Sequence, residues 1–153
     1  MEQVTQADVK HVKTYLRKAR ELDTLVHTKL SEIDRLRELA ECLSSPRMGE
    51  KVSSNKGNTS MQTVDKIVDL QAEIRKEIAE LVSLIGEIHA KIELLENPIE
   101  KAVLTERYIN VKSWEEIAEI LGYTVRQTLN IHGRALKHFT IFHLISLNFT
   151  KSI

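Results

Sequence analysis

SWEEIAEILGYTVRQTLNIHGRALKHF, residues 113–139, divides at Gly122 into two helix-length segments of unlike charge. Ser113 stands three residues before Glu116, the spacing at which side chains and backbone amides cap each other at a helix start. Trp114, Ile117, Ala118 and Leu121 then share one face, and the small Ala118 lets another helix cross closely. Gly122 supplies a tight turn, and Thr124 caps the helix that follows. In that helix Thr128, Ile131, Ala135, Leu136 and Phe139 fall on an inward face. Val125, Arg126, Gln127, Leu129, Asn130, Gly133, Arg134 and Lys137 are left outward. From Thr124 to Phe139 there are three Lys or Arg, two His and no acid, whereas Glu115, Glu116 and Glu119 precede the turn. That split offers positive charge to phosphates on one helix and repels them from the other.

A helix, a glycine turn and a basic helix are the layout of a helix-turn-helix, whose second helix enters the major groove of DNA. On that reading the DNA-binding residues are Thr124, Arg126, Gln127, Asn130, Arg134 and Lys137. Arg126 suits guanine, and Gln127 or Asn130 suits adenine, because each pairing is bidentate. Arg134 and Lys137, further along, suit phosphates. His132 adds charge toward DNA at mildly acid pH. The competing reading is a plain three-helix bundle with a solvated basic face.

Upstream, the chain predicts long helix. Residues 62–96 place Val64, Ile67, Gln71, Ile74, Ile78, Leu81, Ile85, Ile88, Ile92 and Leu95 at alternating spacings of three and four, a sustained heptad seam. Such a helix is about 50 Å long at 1.5 Å per residue. Gln71 either fixes register or marks the start of the seam. Residues 6–43 carry a similar but less regular stripe. Between the two, residues 44–61 hold Pro46, Gly49, Gly57 and a Ser/Asn cluster, and are expected to form a flexible loop. The expected fold is all-α. A long antiparallel helical hairpin over residues 1–96 precedes a three-helix helix-turn-helix domain over residues 97–139. Asn97-Pro98 marks the boundary, since Pro98 disfavours helix at Asn97 and suits a first helical turn. An apolar tail, residues 140–153, is expected to continue the last helix and pack on that domain. The 62–96 seam also suits a second copy of the chain, with a dimer favoured and a four-helix dimer of hairpins one form of it.

The 153 residues carry 22 Lys or Arg and 22 Asp or Glu, so net charge is zero. Neutrality conceals asymmetry. Residues 62–96 carry 4 basic and 8 acidic side chains, while residues 97–139 carry 6 and 5. A lone Cys42 excludes an intrachain disulfide and fits a reducing compartment. The longest apolar stretch, Phe139–Phe149, is too short to span a membrane. Scattered His residues and one Cys supply no metal-ligand spacing. No phosphate-binding Gly-rich loop and no nucleophile–base set is present, so no enzyme, metal or cofactor is expected.

Residues 98–139 resemble region four of bacterial sigma factors and related phage regulators. The matching pieces are AVLTERYI, SWEEIAEILGYT and IHGRALKHF. Residues 6–139 as a whole, with KIVDLQAEI in the second long helix, resemble a family of phage-encoded proteins. These sit near the RinA- and ArpU-type late-gene activators of phages infecting Gram-positive bacteria. The resemblance implies sequence-specific binding of double-stranded DNA, control of phage transcription and contact with RNA polymerase. Val125, Leu129 and Asn130 depart from the basic or small polar residues such helices often carry, so no operator sequence transfers. Two other functions fit the same sequence. One is a DNA-packaging protein like a small terminase subunit. The other is an interaction module that grips polymerase without touching DNA.

Overall fold

The computed structural model describes residues 3–44 and 56–151, and every regular element among them is helical. The helices are α1 (Gln6–Ser44), α2 (Lys56–Ile92), α3 (Pro98–Leu104), α4 (Trp114–Leu121) and α5 (Val125–Lys151), with a π-helical turn at Thr105–Ile109 after α3. None of the described helices is long and apolar enough to cross a membrane.

α1 starts on a reciprocal cap. The Thr5 amide and hydroxyl both donate to Asp8 Oδ2, at 2.9 and 2.6 Å, and the Asp8 amide donates back to Thr5 Oγ1. The expected loop at 44–61 is shorter than its composition suggests. Residues 56–61 belong to α2, because extending an existing helix through Gly57 costs only about 1 kcal/mol, whereas starting one is the expensive step. Residues 45–55 of that expected loop lie outside the described residues.

The chain forms two compact units. The first comprises residues 22–81. Here Val26 and Ile33 of α1 and Ile74 and Leu81 of α2 are buried. Lys29 of α1 reaches α2 twice, with Nζ 2.6 Å from Glu77 Oε1 and 3.3 Å from Glu73 Oε2. These two carboxylates raise the Lys29 pKa, the Glu77 hydrogen bond most of all. The seam departs in part from the heptad read in the sequence. Val64 and Ile78 are exposed, while Leu70 and Glu77 are half-buried in their stead. A line through Ile67, Ile74 and Leu81 is completed equally well by residues three or four positions along. Gln71 and Ile85 on the +4 flank are half-buried as well, so the heptad reading departs on this flank at Val64 and Ile78, and Glu77, paired with Lys29, is covered in place of Ile78.

The second unit comprises residues 1–21 and 82–153. It buries Val12, Leu16 and Ala19 of α1, Ile88 and Ile92 of α2, and the inward faces of α3, α4 and α5. Tyr15 Oη donates to Glu87 Oε2 at 3.3 Å, and Lys91 Nζ lies 4.8 Å above the Tyr15 ring. Lys91 also donates to Nδ1 of the buried His143 at 3.1 Å. α2 ends at Ile92, short of the expected residue 96, and Asn97 caps α3, its side chain accepting from the amides of Ile99 and Glu100, with Pro98 in the first turn. α5 continues unbroken from Val125 to Lys151, and Thr140 and His143 are buried. The chain is thus continuous helix across residue 139, as expected of the apolar tail.

Replacing Lys29 with Met leaves the Glu77 carboxylate without its countercharge, and Glu77 Oε2 already lacks a partner. Lys29→Met should lower the melting temperature, and adding Glu77→Leu should recover or exceed the wild-type value, because removing both charges is better tolerated than removing one. Thermal unfolding followed by circular dichroism measures both.

Candidate nucleic-acid interface

α3, the π turn and α4 hold α5. Val103, Ile117 and Ile131 form a buried cluster, with Ile99, Trp114 and Leu121 packed against it. α4 begins on Ser113, whose hydroxyl accepts from the Glu116 amide at 3.2 Å while Glu116 Oε2 accepts from the Ser113 amide at 2.7 Å. It ends at Gly122 with φ 72°, a left-handed conformation that a side chain would strain. The Tyr123 amide then donates to the Ala118 carbonyl at 2.9 Å, closing the turn into α5.

Thr124 opens α5 with a second reciprocal cap. Gln127 Oε1 accepts from the Thr124 amide at 2.9 Å and from its hydroxyl at 3.1 Å, and the Gln127 amide donates to Thr124 Oγ1 at 3.2 Å. Two of the six expected DNA-binding side chains are therefore engaged with each other. The cap uses the carboxamide oxygen of Gln127 and leaves its NH2 as the outward donor.

Thr128, Ile131, Ala135, Leu136 and Phe139 are all buried. On the opposite side Arg126, Gln127, Asn130, Arg134 and Lys137 are exposed, and Leu129 is 43 % exposed among them. Their spacings of three and four put them on one face. Arg126, Arg134 and Lys137 make no ion pair among the described residues, and α5 contains no acid. Glu115, Glu116 and Glu119 are exposed on α4.

His132 does not join this face. It is 5 % exposed, hydrogen-bonded through Nε2 to Tyr108 Oη at 2.9 Å and packed edge-on to the Trp114 ring at 4.7 Å. Burial, with Lys13 and Arg107 adding to it, pushes its pKa down to about 4. The expected charge toward DNA at mildly acid pH is thereby withdrawn, since the ring is neutral there and points inward. Its spacing of four from both Thr128 and Leu136 already places His132 on the inward face, and the structure adds the partner Tyr108.

Sequence reasoning also misses the support beneath α4. Val111 has φ 60°, a conformation that costs a β-branched residue about 1–3 kcal/mol. The bonds around it hold it there: Lys112 N–H donates to the Glu106 carbonyl at 2.9 Å and Arg107 Nη1 to the Lys112 carbonyl at 2.9 Å. The Arg107 guanidinium then lies 4.2 Å over the Trp114 ring. Further along α5, the buried Glu100 carboxylate lies 2.6 Å from His138 Nδ1. Among the described residues no group of three His, Cys, Asp or Glu could hold a metal ion.

Compared with known protein families, curated proteins and solved structures, the chain has no match.

His132 gives this unit an acid sensitivity of defined sign. Its folded pKa of about 4 lies below the ordinary 6.5, so the unfolded chain takes up the proton first. The stability from its burial is complete above about pH 6.5 and is lost as pH falls toward 4, at roughly 1.4 kcal/mol per unit. Urea unfolding at pH 7 and pH 5 should show wild type losing about 2 kcal/mol more than His132→Gln. An equal loss in both would mean that His132 is not held neutral.

Proposed function

We propose that this chain is a sequence-specific DNA-binding transcriptional regulator, phage-encoded and acting in the host cytoplasm. α3, α4 and α5 serve as a helix-turn-helix, with α5 as the recognition helix. The observation that carries the reading is the exposed, acid-free face of Arg126, Gln127, Asn130, Arg134 and Lys137 on a helix whose other side is fully buried. Arg126 lies in the first turn of α5, where residues of a recognition helix meet base edges. Arg134 and Lys137 lie further along and serve as phosphate contacts. The acids of α4 keep that helix off the backbone. The resemblance to sigma region four points the same way.

α1 and α2 form an antiparallel hairpin in this proposal, supported by the Lys29 bridges to Glu73 and Glu77. The hairpin holds two copies together, and it is also the candidate contact for RNA polymerase. Val64, Val68 and Ile78 on α2 are 50, 56 and 39 % exposed and continue the alternation of three and four through Gln71 and Arg75. Such a second apolar line suits a partner helix in a four-helix dimer.

The DNA reading separates two side chains. Arg126→Ala should bring binding of the selected operator down to the level of random duplex, a loss of about 1–3 kcal/mol in discrimination. Lys137→Ala should weaken binding to all duplexes and lower the salt slope by about one. Gel retardation of both variants on both duplexes decides, and equal losses everywhere would remove base reading from Arg126. For the second interface, light scattering should give a dimer for wild type and a monomer for Val68→Glu/Ile78→Glu. A ring of about eight or more subunits would instead favour a packaging role.

A further inference from the structure

α1 carries a basic ridge that the recognition helix does not account for. Lys10, Lys13, Arg17 and Arg20 recur at spacings of three, four and three, so they share one flank of the helix. Val12, Leu16 and Ala19 are the buried residues of the same stretch, and Tyr15 leans to the opposite flank, toward Glu87 and His143. Lys10, Lys13 and Arg17 are exposed, and none of the three makes an ion pair with an acid among the described residues, although Glu21 stands four residues beyond Arg17.

A fifth cation, Arg107, faces this flank. Its guanidinium is held below its ordinary pKa first by burial and then by Arg20 and Arg17. Lys13 likewise acts on His132, after burial the largest influence on that ring. Like charges therefore gather at one place in the second unit. Tyr108 and, less strongly, Glu115 offset them at Arg107. The ridge bears on His132, the buried side of α5, and not on the face that presents Arg126 and Lys137. The two basic surfaces are distinct.

Such a cluster is unfavourable in the free chain and becomes favourable when a polyanion covers it. Its length says which kind. From Lys10 to Arg20 α1 rises about 15 Å. A single phosphate ion meets only one or two such side chains, whereas about 15 Å of duplex carries roughly nine phosphates. Resting on the DNA-binding role proposed above, we infer that the flank of α1 formed by Lys10, Lys13 and Arg17, with Arg20 and Arg107 beside it, is a second nucleic-acid surface that grips the phosphate backbone of double-stranded DNA. It adds sequence-independent affinity and no base reading. It concentrates positive charge locally in a chain whose net charge is zero.

The test is Lys10→Ala/Lys13→Ala/Arg17→Ala in the full-length chain, titrated against a random duplex by fluorescence anisotropy from about 50 to 200 mM salt. The slope of log affinity against log salt should fall in magnitude by about 2 to 3, near 0.9 for each phosphate no longer neutralised. The preference for operator over random duplex should stay within about twofold, unlike that of Arg126→Ala. Three exposed side chains are removed, so an unchanged thermal melt certifies the fold, and Arg17→Lys should keep most of the slope. A wild-type slope in the triple variant, with DNA binding intact, would overturn the ridge and leave the α5 reading standing. Wild type that binds no duplex even at the lowest salt would overturn both. Loss of binding to polyglutamate with an unchanged DNA slope would assign the ridge to an acidic protein partner and overturn the proposal.

Discussion

Everything on the exposed face of α5 depends on how its other face is buried. Thr128, Ile131, Ala135, Leu136 and Phe139 leave the helix no freedom to rotate about its axis, because any turn would expose Phe139 or bury Arg134. Burying large apolar side chains such as Ile131, Leu136 and Phe139 stabilises by about 1.5–3 kcal/mol each, far more than a surface charge can contribute. Packing therefore sets the orientation, and the cations follow. The caps at Ser113 and Thr124 and the left-handed Gly122 then fix where α4 stops and α5 starts. The buried Tyr108–His132 hydrogen bond ties the π turn to the N-terminal part of α5, and burial favours the neutral imidazole.

Charge is distributed by the same logic. The chain is neutral as a whole, yet its acids and bases are sorted onto different surfaces. Acids on α2 are drawn into service against Lys29, and the acids of α4 stay in solvent. A helical protein that pairs its charges for stability would place Glu three or four residues from Arg134 or Lys137, and α5 holds no acid at all. On α1, Lys10 and Lys13 have no acid three or four residues away, and Glu21, four residues past Arg17, forms no ion pair with it. In the proposed function these cations, without ion pairs among the described residues, are the ones that meet phosphates.

Much of the terminal domain is legible in the sequence because local rules and burial agree there. The Ser113–Glu116 cap, the Gly122 turn, the Thr124 cap and all five inward residues of α5 follow from spacing alone. The α2 seam is only half legible. Periodicity identifies Ile67, Ile74, Leu81 and Ile88, but not that Glu77, paired with Lys29 across the chain, is covered while Ile78 beside it is exposed. The inward place of His132 follows from its spacing to Thr128 and Leu136, although the DNA-binding reading turns it outward; only its hydrogen bond to Tyr108, 24 residues away, is hidden from the sequence. The π turn and the positive φ of Val111 have no residue signature at all; valine is among the least suited residues to that conformation. The ridge on α1 is visible as a spacing of basic residues, but its meaning needs Arg107 beside it.

In the proposed function, the outward face of α5 reads DNA sequence. Selection from a pool of random duplexes by the purified chain, followed by sequencing of the retained fraction, tests this most directly. Convergence on a short motif, repeated as two half-sites if the hairpins pair, is the predicted result. Retention of duplexes with no enrichment over the starting pool would contradict it, leaving α5 as a basic surface that binds without reading.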